Sequence, residues 1–383
     1  MSRIPNLNTL RAARAPASSR GLCLGRARDV LNEESRPAEQ TDKDRIVQQT
    51  DQDATASRVS AVELGYLDDP FAKDLIAEKP QRRFPIINRG TYARTSAIDR
   101  LVEGFLGGPS SSKRKQIISL GAGSDTRYFR LASSFPDIPF VYHELDFPSN
   151  TGQKVSAIQR SSSLLPLIKT RQANEDEAVC IDDDGTALYS STYNLHPIDL
   201  RSLHAPKETT TSPATLRNVD TSLPTLLISE CCLIYLSPTD ADAILRYFTS
   251  YLFPPSSPLG LIIYEPINPN DSFGRVMVQN LATRGIVMQT LKRYASLGRQ
   301  KERMRVMGFT SGQSSADVDF IFENWISDGE KERVSKLEML DEIEEWKMLA
   351  QHYCVAWAWR DAPEKDMEFQ HWRDEIAGQP STE

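Results

Sequence analysis

Two glycines separated by a single residue open the stretch of this chain that points most directly to chemistry. Gly121 and Gly123 follow the apolar run Ile117–Leu120 and begin the segment GAGSDTRYFRL. Glycine lets a backbone approach a ligand closely because no Cβ atom intervenes. Loops of this kind bind anionic or nucleotide-like ligands, and a dinucleotide, a nucleoside triphosphate and an adenosyl compound all remain open at this point.

Acidic residues stand at the ends of three predicted strands. Asp146 follows the apolar segment Phe140–Leu145. Glu230 interrupts a second apolar run, and Glu265 follows the segment Leu259–Tyr264. Helical patterns alternate with these strands, which indicates a parallel sheet covered by helices on both faces. Ligands of such sheets bind beyond the carboxyl ends of the strands, so the glycine loop and these carboxylates are expected to share one site.

The residues around the glycines narrow the choice of nucleotide. The GxxxxGK[ST] pattern of a triphosphate-binding loop is absent, and Thr126 stands where the dinucleotide pattern GxGxxG requires a third glycine. The pattern that remains is GxGxD, followed at the next strand end by Asp146, which can accept hydrogen bonds from ribose hydroxyls. S-adenosylmethionine fits this combination, because it joins a nucleoside without phosphates to an amino acid whose charged groups need acidic and arginine partners.

Hydrophobic periodicity predicts the remaining elements. A short strand is predicted at Gln116–Leu120, and the alternating, β-rich segment Tyr353–Arg360 is predicted to be the last strand. Helices are predicted at Pro238–Phe253, Asp271–Leu291 and Lys331–Leu349. The acidic residues of the last of these helices are expected to form a solvated surface, and no metal site is expected.

Composition argues against several classes of protein. The net charge of −7 argues against a nucleic-acid-binding protein, and no apolar run approaches the roughly 18–20 residues of a membrane span. The five cysteines have no metal-ligand spacing and are odd in number, which is typical of a reduced intracellular protein. We therefore expect a cytoplasmic location, without nucleic acid or membrane as a partner.

The two ends of the chain differ from its middle. Residues 1–28 contain six arginines and no acidic residue, a composition shared by mitochondrial transit peptides and by disordered basic extensions. Residues 29–53 are rich in Asp and Gln and have almost no apolar periodicity. We predict a disordered extension over residues 1–54, a folded domain over residues 55–361 and a flexible tail over residues 362–383.

Longer motifs occur in one order along the chain and together resemble a known family. They are GYLDDPF, INRGTYARTSAID, LGAGSDTRYFRL, ELDFP, LPTLLISECCLIYL, YEPINPNDSFGRVMVQNL, MLDEIEEW and HYCVAWA, between about Arg58 and Ala358. The series resembles the leucine carboxyl methyltransferases, which methylate the C-terminal leucine of the catalytic subunit of type 2A protein phosphatase.

That resemblance implies both a fold and a set of ligands. The fold would be the α/β class I methyltransferase fold, a Rossmann-like, seven-stranded, mostly parallel sheet with one antiparallel strand and helical additions. The implied cofactor is S-adenosyl-L-methionine, and the implied partner is the phosphatase catalytic subunit. The enzyme itself would act as a monomer.

The resemblance also implies roles for individual residues. Arg94 matches the family arginine at the cofactor and substrate carboxylates, and Gly121 matches the first glycine of the cofactor loop. Asp146 matches the ribose-binding aspartate, and Glu230 matches the glutamate near the methionine moiety. Tyr235 matches a tyrosine that is expected to face the substrate carboxylate.

Three further matches concern the cofactor. Asp199 and Leu200, in HPIDLR, match the pair that flanks the adenine. Arg58 stands where the family pattern has a lysine that contacts the cofactor. The positive charge is kept at this position, but a planar fork replaces a point charge.

A carboxylate substrate requires little acid–base chemistry from the protein. Its pKa lies far below 7, so it arrives ionised and needs no general base. Arg94 can bind it bidentately and fix its angle, and we expect Tyr235 to share this role. The arginines within residues 79–100 would suit an entrance for an anionic chain end, or they form an ordinary surface cluster.

Other functions remain compatible with these motifs. One is a carboxyl O-methyltransferase of the same superfamily that acts on a small molecule or a tRNA base. Another is a non-catalytic phosphatase-binding protein that kept the fold, although the intact glycine loop and acidic strand ends argue against it. A nicotinamide dehydrogenase is disfavoured by Thr126.

Overall fold

A single mixed sheet organises the part of the chain that the structure describes. The structure is a computed structural model, and it describes residues 38–76, 81–108, 111–171, 178–204, 216–361 and 368–380. The strands are β1 (Lys115–Leu120), β2 (Phe140–Asp146), β3 (Cys180–Ile181), β4 (Leu188–Tyr189), β5 (Tyr193–Pro197), β6 (Thr225–Glu230), β7 (Leu259–Pro266), β8 (Gly312–Asp317) and β9 (Tyr353–Arg360).

Helices precede, connect and follow these strands. They are α1 (Ala38–Glu63), α2 (Pro85–Leu106), α3 (Arg127–Ser134), α4 (Pro148–Arg160), α5 (Leu164–Thr170), α6 (Pro238–Arg246), α7 (Ser272–Thr283), α8 (Leu297–Val306), α9 (Val318–Trp325), α10 (Asp328–Ser335), α11 (Ile343–Ala350) and α12 (Gln370–Asp374). Among the helices described here, none is both long and apolar enough to cross a membrane.

The order of the strands identifies the fold class. It is β3-β4-β5-β2-β1-β6-β7-β9-β8. Neighbours from β5 to β7 run parallel, whereas β9 is antiparallel to both β7 and β8. The seven strands from β5 to β8 therefore form the sheet of a class I methyltransferase, and the predicted fold class is confirmed. The short hairpin of β3 and β4 extends this sheet beyond β5.

The sheet order also fixes where a ligand can bind. The order reverses beside β1, whose neighbours β2 and β6 belong to the two halves of the sheet. The loop after β1 begins at Gly121, while β2 ends at Asp146 and β6 ends at Glu230. A parallel α/β sheet leaves a crevice at such a switch point, so the three predicted residues meet at one edge of the sheet.

Two apolar cores lie on the two faces of the sheet. Ile117 belongs to one core, and its neighbours in sequence Ile118 and Leu120 belong to the other. Strand side chains alternate between the faces, so a strand that is covered on both sides buries every residue. All six residues of β1 are buried, which explains why this strand is predictable from a short apolar run.

The sequence pattern predicts the central strands and misses β3, β4, β5 and β8. The predicted strand Tyr353–Arg360 coincides with β9, and those predicted at 116–120 and 140–145 lie within β1 and β2. The unpredicted strands β5 and β8 have the sequences YNLHP and GQSSAD, which contain few apolar residues. Backbone pairing with β2 and β9 holds these strands in the sheet.

The predicted disorder over residues 1–54 is wrong for residues 38–54. These residues form most of α1, whereas residues 1–37 lie outside the described part of the chain. The helix escapes a periodicity analysis because its first half is held by polar contacts. Asp44 pairs with Arg201, and Asp53 pairs with Arg83.

The predicted flexible tail over residues 362–383 is wrong for residues 368–380. Phe369 stacks on Phe105 with ring centroids 5.2 Å apart. Trp372 is buried, and its Nε1 donates a hydrogen bond to the Leu101 carbonyl at 2.8 Å. These contacts fix α12 against α2. The helix predicted at 331–349 is also interrupted, because α10 ends at Ser335 and α11 begins at Ile343.

Candidate active site

One cavity brings together the glycine loop, two of the three predicted carboxylates and the residues that the family resemblance assigns to the site. The third carboxylate, Glu265, lies outside this cavity, because it is fully buried and paired with Arg303 at 3.2 Å. The volume of the cavity is about 740 Å³, and it opens at the carboxyl ends of β1, β2 and β6. The predicted residues that line it are Arg58, Arg94, Gly121, Asp146, Asp199, Leu200, Glu230 and Tyr235. Residues of α1, α2, α7 and α11 complete the walls. The individual roles of these residues stay predictions, but their convergence on a single cavity is a structural fact.

The glycine loop is shaped by its two glycines. Gly121 has a φ of +63° and Gly123 a φ of +48°, a backbone region that residues with a Cβ atom rarely occupy. A Cβ atom at Gly121 would lie 2.5 Å from Cys232 Sγ, and one at Gly123 would collide with the Asp51 carboxylate. The loop therefore needs glycine both for its conformation and for its close packing.

Asp146 braces this loop. Its Oδ2 accepts a hydrogen bond from the Gly123 backbone N–H at 2.7 Å. Its Oδ1 accepts bonds from the Phe147 N–H at 2.7 Å and from Asn150 Nδ2 at 3.0 Å. A carboxylate has about four acceptor positions, so one remains for a ribose hydroxyl. Two hydroxyl contacts, as the sequence suggests, would require one of the present bonds to be exchanged.

Glu230 lies between two arginines. Its Oε1 is 2.9 Å from Arg94 Nε, and its Oε2 is 3.3 Å from Arg127 Nη2. The Arg94 guanidinium also lies over the Tyr264 ring, 5.5 Å from its centroid. Arg127 is fully buried, and it pairs further with Asp99 on α2. The carboxylate that would face the cofactor is thus fixed from α2 and from the start of α3.

These pairs belong to a larger ionic network beneath the cavity. Its positive members are Arg58, Arg94, Arg127 and Arg130, and its negative members are Asp69, Asp99, Asp125 and Glu230. Burial alone would raise the pKa of Asp99, but Arg130 and Arg127 hold that pKa well below its usual range. Four formal charges of each sign leave this network itself without a net formal charge.

No local sequence pattern distinguishes four members of this network: Asp69, Asp99, Arg127 and Arg130. Asp99 stands in INRGTYARTSAID, and both arginines stand in LGAGSDTRYFRL, within motifs that carry the family resemblance. That location is the signal that could have pointed to them, because most of their ion-pair partners, with the exception of Asp125 beside Arg127, are distant in the chain.

Arg58 takes part in this network from α1. Its Nη1 is 3.1 Å from Asp69 Oδ2, and its Nη2 donates to Thr95 Oγ1 at 3.4 Å. The Arg58 guanidinium, which stands where the family has a lysine, therefore contacts two protein side chains, and Arg58 also lines the cavity.

Asp199 and Leu200 form the wall where the resemblance places adenine. Asp199 accepts a hydrogen bond from the Arg201 backbone N–H at 3.0 Å, which starts a short 3₁₀ turn. Leu200 is largely buried and joins an apolar core. A flat apolar wall beside a carboxylate suits a nucleobase, which needs a face to pack on and an acceptor for an amino group.

Tyr235 lies in the turn after β6, on the other side of the cavity. It lines the cavity together with Thr50 of α1. Burial raises the pKa of the Tyr235 hydroxyl above its ordinary value, so this group stays a neutral donor at physiological pH. Cys231, the residue directly after Glu230, has a φ of +49°, and this conformation turns the backbone sharply at the end of β6.

The arginines of residues 79–100 are engaged within the fold. Arg82 is 2.5 Å from Glu338, and Arg83 is 3.0 Å from Asp53. Arg89 lies between the rings of Phe322 and Trp346, 5.5 and 5.7 Å from their centroids. The alternative of a structural cluster therefore describes Arg82, Arg83 and Arg89 better than a basic entrance does, whereas Arg94 lines the cavity.

Comparison with known proteins decides the family. The model of the leucine carboxyl methyltransferase family matches residues 46–249. The chain belongs to this family. Leucine carboxyl methyltransferase 1 of Aspergillus fumigatus is 54% identical over 99% of this chain and 98% of its own length. The Schizosaccharomyces pombe protein of the same name is 38% identical, over 82% of this chain and 94% of its own.

Solved structures show more distant similarity. Phosphoethanolamine N-methyltransferase 2 of Haemonchus contortus, in complex with S-adenosyl-L-methionine, is 14% identical and has a TM-score of 0.38. The similarity covers 70% of this chain and 53% of that one.

Family membership defines the reaction. Enzymes named leucine carboxyl methyltransferase transfer a methyl group to the carboxyl group of a leucine. The residues of the cavity fit S-adenosylmethionine, the cofactor that the sequence predicts. The glycine loop leaves room that a Cβ atom would fill, Asp146 keeps one acceptor position, and Glu230 offers a carboxylate for an ammonium group.

Cofactor affinity should fall as the pH drops through 6. Burial raises the pKa of Asp146 to about 6, although the Gly123 and Phe147 N–H groups act against this rise. A protonated carboxyl accepts a ribose hydroxyl less well, so the Kd for S-adenosylhomocysteine is expected to increase between pH 7 and pH 5. Calorimetric titration across this range measures the effect, and Asp146→Asn should bind more weakly with less pH dependence.

Protonation of Asp146 should stabilise the fold, although it weakens cofactor binding. Its pKa is raised, so the folded protein binds this proton more tightly than the unfolded chain. The contribution of Asp146 to the free energy of unfolding therefore increases as the pH falls from about 6 to about 4. Denaturant unfolding of the wild type and Asp146→Asn isolates this contribution. If the wild type and Asp146→Asn had the same pH dependence in both cofactor binding and unfolding, Asp146 would not be the group that titrates.

Proposed function

We propose that this enzyme methylates the C-terminal leucine α-carboxylate of the type 2A protein phosphatase catalytic subunit. The product is a leucine methyl ester, which regulates assembly of the phosphatase. The observation that carries the proposal is the position of Arg94 in the cavity wall. It meets Glu230 through Nε, which leaves its two terminal nitrogens as the donors that a carboxylate takes bidentately.

The cavity wall beside Arg94 supports a leucine side chain. Apolar residues from four elements line this part of the cavity: Ile86, Val318, Trp346, Leu349 and Tyr353. A branched aliphatic side chain gains from burial against such a wall, by about 25 cal/mol for each Å² removed from water. The combination of an apolar wall with a guanidinium matches a chain end better than it matches a polar side-chain carboxylate.

The protein's contribution to the reaction is orientation. When bound, S-adenosylmethionine supplies a methyl group activated by its positively charged sulfur. Arg94 holds the leucine carboxylate at a fixed angle, and Tyr235 donates a hydrogen bond to it from the opposite wall. No described residue has to remove a proton, because the carboxylate is already ionised. The apolar wall excludes water that would otherwise solvate the nucleophile.

Glu230 has a second role in this arrangement. A full positive charge on Arg94 would lower the nucleophilicity of the carboxylate it binds. Glu230 lies 2.9 Å from Arg94 Nε and compensates part of that charge. The pair therefore orients the substrate oxygen while it leaves more negative charge on it.

The decisive test uses the phosphatase catalytic subunit itself. The purified enzyme is incubated with methyl-labelled S-adenosylmethionine and either the intact subunit or a subunit that lacks the terminal leucine. We expect label only in the intact subunit, in a form released by mild base, as is typical of an ester. Label on the truncated subunit, or none on the intact one, would overturn the proposal.

Two further properties are proposed with this function. The compartment is the cytoplasm, as the cysteine content suggests, and the enzyme acts as a monomer. Analytical ultracentrifugation with and without the phosphatase subunit would test the second property. A stable dimer in the absence of substrate would contradict it.

A further inference from the structure

The turn that carries Tyr235 is a short 3₁₀ helix, Leu233–Tyr235, which follows β6. The last carbonyl groups of a helix have no partner within it and need donors from elsewhere. Two neighbouring residues supply such donors here. The Thr290 backbone N–H donates to the Ile234 carbonyl at 3.3 Å, and Gln289 Nε2 donates to the Tyr235 carbonyl at 2.5 Å. The turn is therefore held by the chain between α7 and α8.

This α7–α8 segment, residues 284–296, runs from the rim of the cavity into the fold. Val287 and Gln289 line the cavity, and both residues are exposed. The next two residues, Thr290 and Leu291, are buried. Because Gln289 directly precedes this buried pair, its backbone is anchored although its side chain is accessible to solvent.

A buried polar cluster anchors the far end of the α7–α8 segment. The Tyr294 hydroxyl donates to Asp242 Oδ1 at 2.5 Å, and the Arg303 guanidinium lies over the Tyr294 ring, 4.1 Å from its centroid. Arg303 in turn pairs with Glu265 at 3.2 Å, and both side chains are fully buried. Glu265, predicted as a carboxylate of the site, therefore helps to hold the segment that borders it.

We propose that Gln289 is a positioning residue that fixes the direction in which the Tyr235 hydroxyl faces the leucine carboxylate. The bond from Gln289 ends on the Tyr235 backbone, so it acts on the substrate only through the tyrosine. Loss of this donor would free the end of the turn, and the hydroxyl would meet the carboxylate in the productive geometry less often. This inference rests on the proposed function, through the role of Tyr235.

Steady-state kinetics with a leucine-terminated phosphatase peptide measure the effect. Gln289→Leu removes the donor without adding a charge, and it should lower kcat/KM for the peptide by about 3–10-fold, the usual effect of one hydrogen bond. The KM for S-adenosylmethionine should stay within about twofold of the wild-type value, because the lost bond holds the Tyr235 turn. Gln289→Lys keeps a long side chain with donors and should retain most of the activity.

Two further variants separate positioning from a general effect on the fold. Gln279 is an exposed glutamine of α7, and Gln279→Leu should have wild-type kinetics. Tyr235→Phe removes the hydroxyl, so Gln289→Leu should lose most of its effect in that background. Fully additive losses in the double variant, or an equal loss in Gln279→Leu, would overturn the inference.

Hydrogen exchange tests the hold on the turn without any ligand. The Tyr235 backbone N–H donates within the turn, to the Cys232 carbonyl at 3.2 Å. In Gln289→Leu this N–H should exchange at least about threefold faster than in the wild type, whereas the Gly123 N–H of the glycine loop should be unaffected. Unchanged exchange at Tyr235 would contradict the inference.

Failure of this inference is distinguishable from failure of the proposed function. If the wild type methylates the peptide and Gln289→Leu has wild-type kinetics, only the role of Gln289 is wrong. If the wild type does not methylate it, the proposed function fails, and the exchange rate of the Tyr235 N–H still decides whether Gln289 holds the turn.

Discussion

Replacement of Arg94 with alanine is expected to lower kcat/KM for a leucine-terminated substrate by about 10²–10³-fold. The variant loses the bidentate contact with the substrate carboxylate, and it leaves Glu230 beside the cavity with Arg127 as its remaining partner. Truncation of one partner of a buried charge pair costs roughly 2–5 kcal/mol, a range whose middle corresponds to this loss. Steady-state kinetics with a phosphatase peptide measure it.

Two further variants separate orientation from charge and from folding. Arg94→Lys keeps the positive charge but cannot bind a carboxylate with two parallel bonds, so most of the loss should remain. Arg100→Ala removes an arginine from the same helix, where it contacts the Trp325 carbonyl at 3.2 Å, and should leave kcat/KM near the wild-type value. Normal turnover with unchanged affinities in Arg94→Ala would show that this arginine does not orient the substrate.

Replacement of Gly121 with alanine should weaken binding of S-adenosylhomocysteine by roughly 10–100-fold. The new Cβ atom would lie 2.5 Å from Cys232 Sγ and 2.9 Å from Cys232 Cβ, in a backbone with a φ of +63°. The loop must therefore shift or the Cys232 turn must open, and either change alters the cavity floor. Calorimetric titration with S-adenosylhomocysteine gives the affinity.

Substitutions at two other glycines distinguish the steric collision from the backbone strain as the cause of weaker binding in Gly121→Ala. Gly185 has a φ of +67° but nothing within 4 Å of an added Cβ atom, so Gly185→Ala carries the backbone strain without the collision. Gly298 in α8 has neither a positive φ nor an atom within 4 Å of an added Cβ atom. Gly298→Ala should therefore leave the free energy of unfolding unchanged or raise it slightly. Both variants should bind S-adenosylhomocysteine normally. Normal binding by Gly121→Ala would show that the glycine loop does not meet the cofactor.

The strand ends were predictable because the physical signal there is strong. A strand covered by helices on both faces is a short apolar run, and a charged residue at its end is conspicuous. Asp146 and Glu230 were found in this way, and the fold class followed from their alternation with helices. The resemblance to a family then added Arg94 and Tyr235, which no local pattern distinguishes from other residues of their type.

The first half of α1 and the ionic network carried no comparable signal. Residues 38–54 are polar, and they are ordered by contacts with side chains from other elements of the fold. Arg127 and Glu230 are separated by 103 positions in the chain, and Arg201 and Asp44 by 157. A pattern within one segment cannot reveal partners at such distances, because only the sheet order brings them together.

The measurement that tests the central claim most directly is a crystal structure with S-adenosylhomocysteine and a leucine-terminated phosphatase peptide. The account predicts a ribose hydroxyl within hydrogen-bond distance of Asp146, the amino group of the cofactor product beside Glu230, and the peptide carboxylate on the terminal nitrogens of Arg94. A peptide carboxylate bound elsewhere, with Arg94 still facing only Glu230 and Tyr264, would contradict it.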